Sequence, residues 1–297
     1  MTTAADLVEE TRRHLYSGQM EEVNRVSGAV GAADTSITLK YALGSIARGS
    51  IIAIDLEEIM VWETSGQVAT VVQRGVNGST AATHSDLSLV TVRPRFSSFR
   101  ILKEINNDLK DLCSPIHGLW AIQTVILTYN AAVRGYDLTG VTSNMLGIAE
   151  VRYDTPGPDK AWPLITSFSI DRAMPTAVTD FPSGTAIVLN QAAYPGRRIR
   201  VAYKTTFSSF TTLADDTLAV AGLSSFMEDL PPLGAAIRLV ASRDVKRTFM
   251  ESQGEPRRAE EVPSGSITQI TRGLVALRDQ RILAEATRLI AQYPWMN

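Results

Sequence analysis

The residues able to carry chemistry are few and lie far apart in the sequence. The three histidines, His14, His84 and His117, form no HxxxH or HxH pair, and no carboxylate stands beside them at metal-ligand spacing. We therefore expect surface or hinge histidines and no metal site, the alternative being a site assembled from distant segments. The single cysteine, Cys113, ends an apolar helical pattern and is expected to be a small buried side chain rather than a nucleophile.

Adjacent acids come closest to an acid–base arrangement, in the pairs Glu57-Glu58, Asp215-Asp216 and Glu260-Glu261. Neighbouring side chains on a strand point in different directions, whereas catalytic carboxyl groups must face one bond. These pairs therefore predict a solvated surface. The sequence also has no phosphate-binding glycine loop, no GxSxG elbow and no dinucleotide fingerprint. We expect a chain that is not an enzyme, has no catalytic residues and binds no cofactor.

Hydrophobic periodicity predicts the elements that position these residues, and it indicates an α+β fold. We expect a chain of five segments: an N-terminal helix at 1–22, a small antiparallel β or barrel module at 23–97, a helix at 98–114, a central β-sandwich at 115–212, and a helical region with a long C-terminal helix at 213–297.

Local signals support those boundaries. Thr3 and Asp6 fit a capping box at the start of the first helix. Ser65-Gly66 and Asn77-Gly78 are typical of hairpin turns, since glycine accepts positive φ without strain. Strands are expected within the sandwich at 122–129, 146–153, 164–170, 186–189 and 199–203.

Composition and charge exclude several classes of protein. Of the 297 residues 44% are hydrophobic and 20% charged, which is typical of a globular chain. No window approaches eighteen uninterrupted apolar residues, and the start Met1–Asp6 lacks a secretory pattern, so we expect assembly in a cytoplasm and no membrane contact. A net charge of −2 gives no global attraction to nucleic acid.

The C-terminal region carries ten basic against seven acidic residues from position 234 onward, and nine of the ten are arginine. Arginine suits fixed, bidentate pairing with carboxylates at subunit contacts. Salt bridges within the helices, and a terminus that packs back on its own helix, are the alternative. The possible interface residues are Arg278, Arg281, Arg288, Tyr293 and Trp295.

Several segments resemble a module found in actinobacteriophage virion proteins: Gly49–Glu58, Val72–His84, Val92–Phe96 and the helix Ile101–Leu112. In that module the pattern Arg-Gly-x-x-Gly-[Ser/Thr]-x-Ala-x-x-His is a hairpin of a small β domain encoded among head–tail genes. The C-terminal segments Leu233–Arg238 and Gln280–Glu285 are similar to the helical part of head–tail adaptor proteins. Such adaptors are generally smaller and mainly helical, so the two β modules depart from the pattern and leave room for another neck or tail role.

The resemblance implies a structural virion protein of a tailed phage: a head-to-tail adaptor that forms a ring of about twelve copies around the DNA channel. Its partners would be the portal protein, stopper or tail-tube proteins, and genomic DNA that passes through the lumen without sequence-specific binding. It would be located at the head–tail junction of the virion and assemble in the host cytoplasm.

The alternative is a tail or neck protein whose β-sandwich binds a carbohydrate receptor. Trp120, Trp162 and Tyr194 are the aromatic side chains that would stack on sugars, although aromatic residues of a sandwich more commonly belong to its core.

Overall fold

A computed structural model describes residues 2–16, 21–42, 48–138, 141, 144–157, 161–177, 180–191, 193–252 and 266–293. Contacts divide the chain into two compact units. The first, the barrel unit, comprises Met1–Asp111 and Ser208–Arg281, and the second, the sandwich unit, comprises Leu112–Phe207 and Ile282–Asn297. Each unit has a hydrophobic core of its own.

Six short strands form one antiparallel sheet in the barrel unit, in the order β1-β6-β3-β4-β5-β2. The alternation of buried and exposed side chains is only partial, because Ile52–Ile54 and Glu57–Ile59 are each three consecutive buried residues. The core includes Val26, Ile37, Leu39, Ile52 and Ile54, all of them fully buried. The strands are β1 (Glu22–Arg25), β2 (Ser36–Thr38), β3 (Ser50–Ile54), β4 (Glu57–Ser65), β5 (Val68–Gln73) and β6 (Leu89–Val92).

The two edge strands of this sheet meet and close it into a barrel. Val26 forms a bridge with Leu39, just beyond the ends of β1 and β2. The N–H of Ser27 donates to the Thr38 carbonyl, and the N–H of Lys40 donates to the Arg25 carbonyl, each at 2.8 Å. These contacts join the two edges where β1 ends and β2 leads into residues 39–40.

The described residues also form four α-helices: α1 (Ala4–Tyr16), α2 (Ser98–Leu112), α3 (Leu230–Ser252) and α4 (Ser266–Gln292). The capping box of α1 is confirmed, since the N–H of Thr3 donates to the Asp6 carboxylate at 2.8 Å and the N–H of Asp6 donates to the Thr3 hydroxyl at 3.4 Å. No helix of the described residues is both long and apolar enough to span a membrane.

The sandwich unit contains two three-stranded antiparallel sheets, ordered β7-β12-β9 and β10-β11-β8. Both contribute to one core, which includes Val151, Ile187 and Val201. The strands are β7 (Ala121–Thr128), β8 (Gly135–Asp137), β9 (Met145–Tyr153), β10 (Phe168–Asp171), β11 (Ala186–Leu189) and β12 (Arg198–Thr205).

The α+β class is confirmed, and three local predictions differ from the structure. Only Phe168–Asp171 of the strand expected at 164–170 is a strand, because 161–165 runs along β9 instead. Asn77-Gly78 lies in a 3₁₀ turn with φ of 57° and 88° rather than joining two paired strands. The chain from 208 to 229 consists of turns, and helical structure begins at Leu230.

Candidate functional site

Four charged side chains meet in the barrel unit, where the β3–β4 turn faces the segment that follows β5. The turn supplies Asp55 and Glu57, and the following segment supplies Arg74 and His84. We call these four residues the Glu57 cluster. Asp55 has a φ of 52°, which lets the chain reverse sharply between two directly paired strands.

Glu57 is the centre of the cluster, and both oxygens of its buried carboxylate are occupied. Oε1 accepts from Nε of Arg74 at 2.7 Å and from the N–H of Gly75 at 3.1 Å. Oε2 accepts from Nη2 of Arg74 at 2.7 Å and from the N–H of Ala82 at 3.1 Å. A bidentate ion pair with these further bonds offsets the cost of removing two charges from water.

His84 joins the cluster through both of its ring nitrogens. Nε2 lies 2.8 Å from Oε2 of Glu57, and Nδ1 lies 2.9 Å from Oδ2 of Asp55. An ionised carboxylate only accepts hydrogen bonds, so the ring can donate to both carboxylates at once only when each nitrogen carries a proton, as in the imidazolium form. The His84 side chain is 2% exposed, whereas that of Asp55 is 54% exposed. The bond to Glu57 is therefore the one shielded from water.

The pKa values of His84 and Glu57 move in the direction that favours charge. Burial acts to lower the pKa of His84, but the hydrogen bonds and charges of Asp55 and Glu57 outweigh it and raise the pKa above the ordinary 6.5. Burial acts to raise the pKa of Glu57, but the bonds from Arg74 and His84 outweigh it and hold the pKa below the ordinary 4.5. Each ion of the cluster thus stabilises the charged form of its neighbour.

The segment after β5 follows a path that glycine makes possible. Gly75 has a φ of 62°, and a Cβ there would lie 2.9 Å from the backbone nitrogen of Ala81. Arg74 pins the same segment, since its Nη2 also donates to the Ala82 carbonyl at 2.8 Å. Its Nη1 donates to the Gly31 carbonyl at 2.6 Å, which ties in a further loop.

Glu58 points to the opposite side of β4 and anchors α2. Its buried carboxylate accepts hydrogen bonds from Ser97 and Asn77, and it lies 3.0 Å from Nε of Arg100. The Ser97 hydroxyl also accepts from the N–H of Arg100 at 3.2 Å, as an N-cap residue does. Two adjacent acids thus fix a loop on one side of the strand and a helix on the other.

An open cleft of about 840 Å³ lies beside the cluster, between the 78–84 segment, α2 and the 209–214 segment. Asn106 holds the third wall in place, because its amide donates to the Phe210 carbonyl at 2.9 Å and accepts from the Phe210 N–H at 2.8 Å. The volume is in the range that admits a small ligand. The cleft is lined by apolar residues that include Phe99, Leu102 and Leu213 and by polar ones that include Lys103, Lys110 and Thr80.

The geometry of the cluster favours cohesion over proton transfer. A general base needs a ring nitrogen directed at its substrate, and both nitrogens of His84 face carboxylates. The hydroxyl of Ser79, the buried serine nearby, donates to the Val76 carbonyl at 2.8 Å. Among the described residues, no group of three or more His, Cys, Asp or Glu side chains is arranged to hold a metal ion.

Two sequence-based expectations are wrong at this site. His84 is neither a surface nor a hinge residue, because ion pairs compensate its burial. Glu57 and Glu58 are not solvated, since each is 1% exposed. The expectation that their side chains point in different directions is correct. The spacing of Arg74 and His84 within the motif was the sequence feature that could have indicated this site. The motif does not contain Glu57 and therefore could not identify it as their common partner.

The arginines proposed as interface residues have partners within the chain. Nη2 of Arg278 donates to Asp108 at 2.8 Å and to Asp111 at 3.0 Å, and Arg238 lies 3.5 Å from Asp111. Burial raises the pKa of Asp108 to about 6, against the opposing charges of Arg278 and Arg238. Gly234 allows this approach, since a Cβ there would overlap the Asp108 carboxylate. Arg278 is thus part of a buried helix contact inside the barrel unit.

Three further predicted interface residues, Arg281, Arg288 and Tyr293, are partly exposed. Nε of Arg281 donates to Asp229 at 2.7 Å, and Nη1 of Arg288 donates to Glu285 at 3.1 Å. The N–H of Tyr293 donates to the Leu289 carbonyl at 3.2 Å, at the end of α4. Trp295 lies outside the described residues. Their role at an interface stays a prediction.

The aromatic residues considered for sugar binding are not grouped as open faces. Trp120 is 9% exposed, and Nζ of Lys204 lies 4.0 Å from the centre of its ring. The guanidinium groups of Arg198 and Arg200 lie 5.4 and 5.8 Å from the ring of Trp162. Tyr194 is exposed. Cations therefore occupy positions where a sugar would stack on either tryptophan.

No protein-family model matches the chain, and no curated protein is significantly similar to it.

Proposed function

We propose that the chain is a structural, non-enzymatic component of a tailed-phage virion, and that it forms the head-to-tail adaptor ring between portal and tail. The ring would contain about twelve copies and surround the channel through which the genome passes. Its other neighbours would be stopper or tail-tube proteins at the head–tail junction, and it would assemble in the host cytoplasm.

The observation that carries the proposal is the use of the motif on which the resemblance rests. Its arginine and histidine, Arg74 and His84, both bind Glu57, and its glycine at Gly75 permits the tight turn between them. The chemically capable side chains of the motif are thus engaged in holding the barrel together. This use supports a part that must remain rigid under load rather than one that transforms a substrate.

The charge distribution supports passage of DNA without strong binding. The chain carries a net charge of −2, and Arg278, Arg281 and Arg288 are each paired with a carboxylate. Guanidinium groups paired in this way have little free charge to offer a phosphate backbone, and tight duplex binding requires many unpaired cations. A channel wall of this kind would let the genome slide.

Two measurements test the proposal. Mass spectrometry of density-purified virions should detect the chain in a constant ratio to the portal protein. Electron microscopy of the chain mixed with its purified portal should show a symmetric ring at one end of the portal. Absence from virions, or turnover of a cell-wall or glycan substrate by the purified chain, would refute the proposal.

A further inference from the structure

In the sandwich unit the strand β7, which is eight residues long, has an open outer edge. β7 is paired along its whole length with β12 on one side. On its other side none of its backbone groups bonds to any residue within the described part of the chain. The opposite edge of the same sheet is covered, since the N–H of Ile165 donates to the Val151 carbonyl at 2.8 Å and the N–H of Tyr153 to the Pro163 carbonyl at 3.1 Å.

The hydrogen bonds at the end of the β7–β12 pair show which residues face outward. The N–H of Tyr129 donates to the Arg197 carbonyl at 2.8 Å, so Tyr129 points its backbone toward β12. The N–H of Asp154 takes the next carbonyl of β12, that of Arg198, on the other side at 2.9 Å. Alternation along this regular ladder then directs the N–H and C=O groups of four residues away from the sheet: Ile122, Thr124, Ile126 and Thr128.

The outward residues have the composition of a pairing strand. All four are β-branched, Ile126 is 57% exposed, and β7 contains no charged residue, no proline and no glycine. Natural sheet edges are normally protected from association by lysine, proline, a bulge or a covering segment. β7 pairs with β12 without a bulge, contains neither lysine nor proline, and has no covering segment hydrogen-bonded to its outer edge among the described residues.

The surrounding charges permit a second copy of the same strand to approach. Two cations of β12 on this face are already balanced, because Arg200 bonds to Glu150 at 2.8 Å and Arg198 bonds to Asp154 at 3.2 Å, and a third, Lys204, lies over the Trp120 ring. An uncharged strand placed against itself brings no like charges together. Antiparallel pairing about a twofold axis also needs only one surface, since each copy presents the same residues to the other.

We propose that the free protein associates through β7, whose outer edge pairs antiparallel with the β7 of a second copy. Thr124 of each copy then faces Ile126 of the other, and the two sheets form one continuous sheet of six strands. The contact is isologous and yields a dimer, whereas the proposed adaptor ring needs a head-to-tail contact. It therefore does not rest on the proposed function, and the size of the particle separates the two.

Sedimentation equilibrium and amide exchange test the pairing. The wild-type protein should dimerise with a dissociation constant on the order of 10 μM, as suits a contact one strand wide. Ile126→Lys should weaken association at least tenfold, because it brings two cations to the new strand pair. Val133→Lys, a charge added at another exposed apolar position, should leave the dimer unchanged.

Amide exchange by NMR gives a readout that a folding defect cannot imitate. In the dimer the amides of Ile122, Thr124, Ile126 and Thr128 should be protected, and in Ile126→Lys these alone should exchange rapidly while the alternate amides stay protected. A wild-type monomer at roughly 100 μM would overturn the inference. So would a dimer that Ile126→Lys leaves intact, or a large ring whose β7 amides exchange freely.

Discussion

Replacing His84 by glutamine should destabilise the barrel unit by about 2–3 kcal/mol at pH 5.5. The imidazolium makes one bond to fully buried Glu57 and one to half-exposed Asp55. The first is a shielded charge-assisted bond, for which about 2 kcal/mol is typical. The second is screened by water and contributes about 0.5 kcal/mol. Glutamine is neutral, and its amide can donate to one carboxylate only at a time.

The size of this effect should depend on pH with a defined sign. The pKa of His84 is raised on folding, so its contribution is complete below the unfolded value near 6.5 and is lost as pH rises through the folded pKa. The pKa of Glu57 is lowered, so its contribution is complete above about 4.5 and is lost as pH falls through the folded pKa. The free energies of unfolding of the wild type and of His84→Gln should differ most between these two pH limits and should converge at alkaline pH.

Urea denaturation at a series of pH values measures this difference, with Asp55→Asn as the matched control. Asp55→Asn removes only the negative charge from the screened bond and should lower the free energy of unfolding by less than about 1 kcal/mol. Long-range ¹⁵N NMR should find protons on both ring nitrogens of His84 at pH 5.5. A His84 that titrates at or below 6.5, or a difference between wild type and His84→Gln that is constant from pH 5 to pH 9, would refute the reasoning.

Three further expectations concern other parts of the barrel unit. Folding raises the pKa of Asp108 to about 6, so the wild type should lose about 3 kcal/mol of stability as pH rises from 4 through 6. Urea titrations should show that Asp108→Asn abolishes this loss. In thermal unfolding, Gly75→Ala should lower stability by about 2–3 kcal/mol more than Gly66→Ala does. Both glycines have positive φ, but of the two only Gly75 lacks room for a Cβ, and equal losses of stability would contradict this. Arg281→Ala should lower stability by less than about 1 kcal/mol in urea titrations, because its ion pair with Asp229 and its bond to the Phe226 carbonyl are both exposed to water. A loss of several kcal/mol would contradict this.

Local patterns predicted the elements of this fold well, because they depend on contacts close in sequence. The capping box at Thr3 and Asp6 involves residues three positions apart. The apolar face of α2 follows the helical repeat, and its members Ile101, Ile105 and Leu109 are fully buried. Each of these signals is contained within a single helix.

The candidate site depended on contacts that no local pattern contains. Glu57 and His84 lie 27 residues apart, and their pairing is set by how β3, β4 and the 74–84 segment fold over one another. The adjacent acids at 57 and 58 look solvated because a carboxylate is rarely buried unless it is paired, and the partners are not visible in the neighbouring sequence. The strand predicted at 164–170 was partly wrong for a related reason, since the first part of this segment extends along β9 instead of forming a strand of its own.

The strand order of the barrel also governs when it can form during synthesis. β6 lies between β1 and β3, so β1 has no partner for its main ladder until residues 89–92 have left the ribosome. The intervening stretch from Arg25 to Leu89 takes about 3–13 s to translate at the usual 5–20 residues per second. During that interval the hairpin of β3 and β4 can form, but the barrel interior remains wet. The last of the six strands to be made is the one that completes it.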